Sequence, residues 1–166
     1  MALVRQGITP YRDDVGTLAY SVYPIAEMAG HRDNQTVQLN LAYVKSILIV
    51  DDSPHVRRSL RRLLETKHDW VVWEAENGGD AIDRAKELRP DLIVIDLAMP
   101  VLNGIVATSV LKQIMPAAPI VMFTAFSDPH IKRMAMAAGL DSFVDKSESP
   151  EILLGCIEQL LVRRSG

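Results

Sequence analysis

Residues 46–60 read SILIVDDSPHVRRSL, and this stretch decides the fold. Ile47, Leu48, Ile49 and Val50 form a short unbroken apolar run, which suits a strand buried on both faces. The run ends in two adjacent carboxylates, Asp51 and Asp52. Adjacent like charges repel, and burying either one unpaired is costly. Ser53-Pro54 then places a capping oxygen before a proline, which is a helix start. Val56, Leu60, Leu63 and Leu64 follow at helical spacing, which predicts a helix over residues 54–67.

Outward from this unit the alternation repeats. Strands are predicted at residues 70–75, 92–95, 120–123 and 142–144. Helices are predicted at residues 79–88, 105–115, 129–138 and 150–162. Pro90 and Pro116 close two of the helices, and Gly139 is the expected stop of a third. Asp128-Pro129 and Ser149-Pro150 repeat the helix-start signal of Ser53-Pro54. Five strands alternating with five helices predict an α/β fold, a doubly wound parallel sheet with helices on both faces. In such sheets ligands sit beyond the carboxyl ends of the strands, at the point where strand order reverses. The residues at those ends are Asp51 and Asp52, then Asp96, then Thr124, then Lys146. The strand at 70–75 is expected at an edge. Three carboxylates in one cleft need compensation. Lys146 supplies one positive charge, and Mg²⁺, which takes oxygen ligands, would supply two more.

Residues 1–44 differ from the rest. All four tyrosines lie there, and Gly7, Pro10, Gly16, Pro24 and Gly30 interrupt any period. The expectation is an N-terminal extension over 1–44, flexible or partly helical around residues 18–28, followed by a domain over 45–166. The composition is that of an ordinary globular chain, 48% hydrophobic and 23% charged. A net charge of −3 does not argue for nucleic acid. The single cysteine, Cys156, excludes an internal disulfide and suits a reducing, cytoplasmic setting. No uninterrupted apolar run is long enough for a membrane span, and the N-terminus lacks the apolar core of a secretory signal.

The segments VDDSPHVR, DLIVIDLAMPVLNG, PIVMFTA and AGLDSFVDKSESPEILL together resemble the response-regulator receiver domain, the CheY-like and flavodoxin-like fold, over about residues 46–163. The resemblance implies the strand order 2-1-3-4-5. It implies that Asp96 is the phospho-acceptor, taking phosphate from a histidine kinase or a histidine phosphotransfer protein. It implies Mg²⁺ held by Asp52 directly, by Asp51 through water, by Asp96 and by the backbone carbonyl of Ala98. Lys146 would pair with the phosphoryl oxygens and Thr124 would hydrogen-bond to them. Phe143 stands at the aromatic switch position and would change rotamer with Thr124. A downstream protein target is implied without a name, and a phosphorylation-dependent dimer is left open.

Some residues depart from the pattern. Ser147 follows Lys146 where many receivers have proline, so DKSESPE resembles receivers of the NarL/FixJ type. Those usually continue into a DNA-binding domain. Nothing in residues 1–166 suggests DNA binding by this chain. Phe143 lacks the hydroxyl of a tyrosine. Ala98 and Ala125 are small, which suggests an open phosphoryl site and a short-lived mark. Arg57, Arg58, Arg61 and Arg62 are read first as a solvated, ion-paired helix face, and second as a docking surface for a kinase. At least one of Met134 and Met136 is expected in the core. Two other functions compete with the signalling module. One is a Mg²⁺-dependent aspartyl phosphatase or phosphotransferase, which would place its acids as Asp-x-Asp after the first strand. The other is a degenerate receiver that only binds proteins.

Overall fold

The computed structural model describes residues 8–12, 18–22, 44–67 and 70–163. The chain divides after Val44 into two compact units. In the first, β1 (Ile8–Arg12) pairs antiparallel with β2 (Leu18–Val22), with Pro10 opposite Tyr20. This corrects the helical expectation for residues 18–28 where it can be compared, since residues 18–22 are strand and residues 23–28 lie outside the described residues. The reason lies in composition. Ile8, Thr9, Tyr11, Tyr20 and Val22 are β-formers.

The second unit follows the βα alternation. Its elements are β3 (Ser46–Val50), α1 (Pro54–Lys67), β4 (Val71–Ala75), α2 (Gly78–Leu88), β5 (Leu92–Ile95), α3 (Gly104–Ile114), β6 (Ile120–Thr124), α4 (Pro129–Ala137), β7 (Ser142–Asp145) and α5 (Pro150–Arg163). The five strands are parallel, in the order β4-β3-β5-β6-β7. Numbered within the unit this is 2-1-3-4-5, the flavodoxin-like order, with the reversal beside β3.

Every residue of β3 and β5 is buried, so their apolar runs pack on both faces. Leu48, Ile93, Ile95 and Met122 face Ala81, Ala85, Ala107 and Leu111 of α2 and α3. Ile47, Ile49, Leu92 and Val94 face Leu60 and Leu64 of α1 and Leu153, Ile157 and Leu161 of α5. Each such fully buried aliphatic side chain contributes roughly 1.5–3 kcal/mol. Trp70 packs on the α1/α5 face and Trp73 on the other, as their spacing predicts. Cys156 is half-buried against the α1/α5 core. Met134 and Met136, by contrast, are both about half exposed, at 47% and 48%. The helical phase of α4 turns Ala135 to the core instead, and it is the one buried residue of that helix.

Candidate functional site

Hydrogen bonds of the sheet fix where the chemistry lies. Asp51 N–H donates to the Ala75 carbonyl at 3.2 Å and Asp96 N–H to the Val50 carbonyl at 2.8 Å. The ladder therefore continues one residue past each strand, and it sets both acids at the same rim. Lys146 N–H donates to the Thr124 carbonyl at 2.9 Å, which does the same for β6 and β7. A glycine locks the loop behind Asp96. A Cβ at Gly104 would lie 2.1 Å from the Asp96 carbonyl oxygen, so only glycine lets α3 start there. Asn103 caps that helix, its side chain accepting from Val106 N–H at 3.0 Å.

The side chains then converge. Lys146 Nζ donates to Asp51 Oδ2 at 2.7 Å and lies 3.2 Å from Asp96 Oδ1. Asp51 and Asp96 are both buried, with side chains 3% and 7% exposed, against 22% for Lys146. Asp51 Oδ1 also accepts Ser53 N–H at 2.9 Å. Burial pushes the Asp51 carboxyl above its ordinary range, despite the opposing pull of Lys146 and Ser53. Burial alone would lower Lys146, but its hydrogen bond to Asp51 and the charge of Asp96 outweigh that and hold it above its ordinary value. One ammonium is thus shared between two buried acids. The Asp96 contact is an ion pair without hydrogen-bond geometry, so Oδ1 is left buried with no hydrogen-bond partner. Thr124 is fully buried, and its Oγ1 accepts Phe126 N–H at 3.3 Å.

The family pattern of the response regulator receiver domain matches residues 47–158. The chain belongs to this family. It is a response-regulator receiver of two-component signalling. It is 36% identical over 117 residues to the chemotaxis protein CheY of Halobacterium salinarum, covering 70% of this chain and 97% of that protein. It is 38% identical over 104 residues to the response regulator protein VraR of Staphylococcus saprophyticus, covering 62% of this chain and 50% of VraR. The chain thus spans about half the length of that relative. Among solved structures, a LuxR-family two-component response regulator from Aurantimonas sp. SI85-9A1 is similar with a TM-score of 0.69 and 37% identity, covering 73% of this chain and 87% of that one. A CheY-like receiver domain protein from Methanospirillum hungatei JF-1 shares the fold, with a TM-score of 0.70, 24% identity and coverage of 74% and 97%.

The other residues expected at the receiver site are placed as follows. Asp52 is exposed beside Asp51, and Ala98 is exposed in the loop after β5. Phe143 is half-buried on β7 opposite Met122, and it packs on the α2/α3/α4 core. Among the described residues no group of three or more His, Cys, Asp or Glu side chains is gathered so that it could hold a metal ion. Lys146 stands between Asp51 and Asp96 instead. The chemistry of the donors still fits a hard cation. Asp51, Asp52 and Asp96 offer only oxygen, and Asp96 Oδ1 is a buried acceptor with no hydrogen bond, sharing its one ammonium with Asp51.

The arginine cluster splits. Arg57 and Arg61 both reach Glu74 of β4, Arg57 Nε at 3.1 Å, and Arg61 also pairs with Glu65. Arg61 Nη1 donates to the Val72 carbonyl at 2.8 Å, covering part of the sheet edge. Arg57 Nη1 donates to the Asp51 carbonyl at 2.7 Å, so this cluster also braces the acid-bearing turn. Arg58 and Arg62 are exposed. Sequence reasoning missed Val101. It has φ 67° and is 87% exposed, and Leu102 N–H donates to the Pro100 carbonyl at 2.7 Å across it. That is a γ-turn of the strained, positive-φ kind, centred on a β-branched residue. Nothing in the residue type announces it. Among the described residues, no helix is long and apolar enough to cross a membrane.

Proposed function

We propose that Asp96 accepts a phosphoryl group from a phosphohistidine on a histidine kinase or histidine phosphotransfer protein in the cytoplasm. Oδ1 of Asp96, buried without a hydrogen bond and 3.2 Å from an ammonium, is the observation that carries this reading. A carboxylate oxygen of Asp96 forms a bond to phosphorus as the nitrogen–phosphorus bond of the donor breaks. The bonding pair returns to the imidazole nitrogen. Lys146 already lies at the reacting carboxylate and balances charge on the incoming phosphoryl oxygens. Thr124 Oγ1–H is free to donate to a phosphoryl oxygen, since its present bond uses the oxygen as acceptor.

Asp51, Asp52, Asp96 and the Ala98 carbonyl would hold Mg²⁺. The cation would offset repulsion between carboxylate and phosphoryl oxygens. Asp51, already committed to Lys146 and Ser53, supports such a site better through water than directly, while exposed Asp52 is open to bind it. Thr124 and Phe143 share one face of the sheet as diagonal neighbours on β6 and β7, because Thr124 pairs with Asp145. Movement of Thr124 toward a phosphoryl group therefore opens space for the Phe143 ring to follow. The resulting surface change would control a downstream protein.

The test is incubation with acetyl phosphate, with and without Mg²⁺, read by intact mass. The wild type gains one phosphoryl group with Mg²⁺, and Asp96→Asn gains none. Equal labelling of both proteins would refute the assignment. Exposed Ala98 and Ala125 leave the site open to water, so the label should decay quickly. A half-life of many hours would contradict that part.

A further inference from the structure

Helix α4 is held by less than its neighbours. α2 buries Gly78, Ala81 and Ala85, and α3 buries Gly104, Ala107, Thr108 and Leu111, but α4 buries Ala135 alone. Its ends are tied locally. Asp128 Oδ1 accepts His130 N–H at 2.7 Å and Ile131 N–H at 3.3 Å, and Leu140 N–H donates to the Ala135 carbonyl at 3.1 Å. Between those ends, Lys132 Nζ sits over the Phe143 ring, 5.6 Å from its centroid. That distance is within the range of a cation–π contact. Phe143 is the half-buried aromatic beside Thr124, and phenylalanine offers no hydroxyl by which a helix could sense its ring.

We propose that Lys132 is a positioning residue that latches α4 to the Phe143 ring and so sets the resting position of the switch. The proposal rests on the phospho-acceptor reading for its function, but the latch itself is a property of the unphosphorylated protein. When the ring leaves the surface, the ammonium loses its π face and α4 loses one of its few tertiary contacts. Ring position is thereby reported as the stability of a helix that presents Met134 and Met136 to solvent. The contact acts through population. Removing it makes departure of ring and helix easier by the factor the contact contributes.

Amide hydrogen exchange of the unphosphorylated full chain tests the latch without any phosphodonor. Lys132→Met should speed exchange of the backbone amides of residues 133–137 by about two- to fivefold, the factor expected of an exposed cation–π contact. Lys132→Arg, which keeps a cation over the ring, should restore the wild-type rate. Phe143→Leu should speed the same amides, and Lys132→Met added to it should change nothing further. An unchanged rate in Lys132→Met would overturn the latch. So would an equal Lys132→Met effect in the Phe143→Leu background, since the lysine would then act through helix propensity alone. Failure of Asp96 to take phosphate would leave these exchange rates untouched, so the two readings fail separately.

Discussion

Two charged clusters stand on adjacent strands, and they are solved in opposite ways. On β4, Glu74 receives two guanidinium groups, Arg57 and Arg61. Burial pushes its carboxyl up, but the two arginines outweigh that and hold it below its ordinary value. Past the end of β3, Asp51 and Asp96 share the single ammonium of Lys146, and burial holds Asp51 above its ordinary value. Both clusters contain the same kinds of groups. The first is saturated with positive charge and braces α1 against the sheet edge. The second is short of positive charge and keeps an oxygen without a hydrogen bond. A saturated cluster can do nothing further, whereas an under-compensated one has a standing affinity for a cation and for a group that brings hydrogen bonds.

The largest break in this comparison is Lys146→Met. Two buried carboxylates would lose their one counter-charge, at a cost of about 3 kcal/mol near neutral pH. Urea denaturation measures it, and the loss should shrink in acid as Asp51, whose folded value is raised by burial, takes up a proton. A loss below that of the β4 variant would reverse the ranking of the two clusters.

Glu74→Gln should cost less, about 1 kcal/mol, because the pair is partly exposed and screened. Its sign with pH is fixed. Glu74 has a folded value below its ordinary 4.5, so its contribution is present above that pH and is lost as pH falls through the folded value. The gap between wild type and variant in denaturation should therefore close in acid. Asp51 has the opposite sign. Its folded value lies above its ordinary 3.8, so burial costs stability once pH rises through the folded value.

The smallest effect is expected at Val101, on the rim of the acid site. Val101→Gly removes a β-branched side chain from a positive-φ turn, and the extra chain entropy of glycine offsets part of the gain. A net stabilisation of about 0.5 kcal/mol should appear as a raised denaturation midpoint. Destabilisation would mean the side chain is held by contacts that outweigh the strain.

The sheet was legible because each of its strands carries a short apolar run bounded by turn or cap residues, and burial of β3 and β5 on both faces leaves no ambiguity of period there. The rim was legible for the same reason: Asp51, Asp96, Thr124 and Lys146 each follow such a run, and topology carries run ends to one edge. Contacts between side chains were not legible. That Lys146 bridges Asp51 and Asp96, that two of four arginines close on Glu74, and that Lys132 lies over Phe143 depend on distances across the sheet, which spacing along the chain does not encode. The α4 methionines were misplaced because a nine-residue helix holding two methionines and two alanines has apolar residues on several faces. The pairing of β1 with β2 was missed because strands of five residues, one of them holding Pro10, are too short to show a period.

The Asp51–Asp96 cluster is short of positive charge, and the Glu74 cluster is not. Thermal melting of the wild type, Asp51→Asn and Glu74→Gln across a Mg²⁺ titration tests this difference most directly. The wild-type Tm should rise with Mg²⁺, by about 1.4 kcal/mol of added stability at tenfold excess over the dissociation constant. The rise should persist in Glu74→Gln and be much reduced in Asp51→Asn. A wild-type Tm indifferent to Mg²⁺, or a rise equally large in Asp51→Asn, would contradict it.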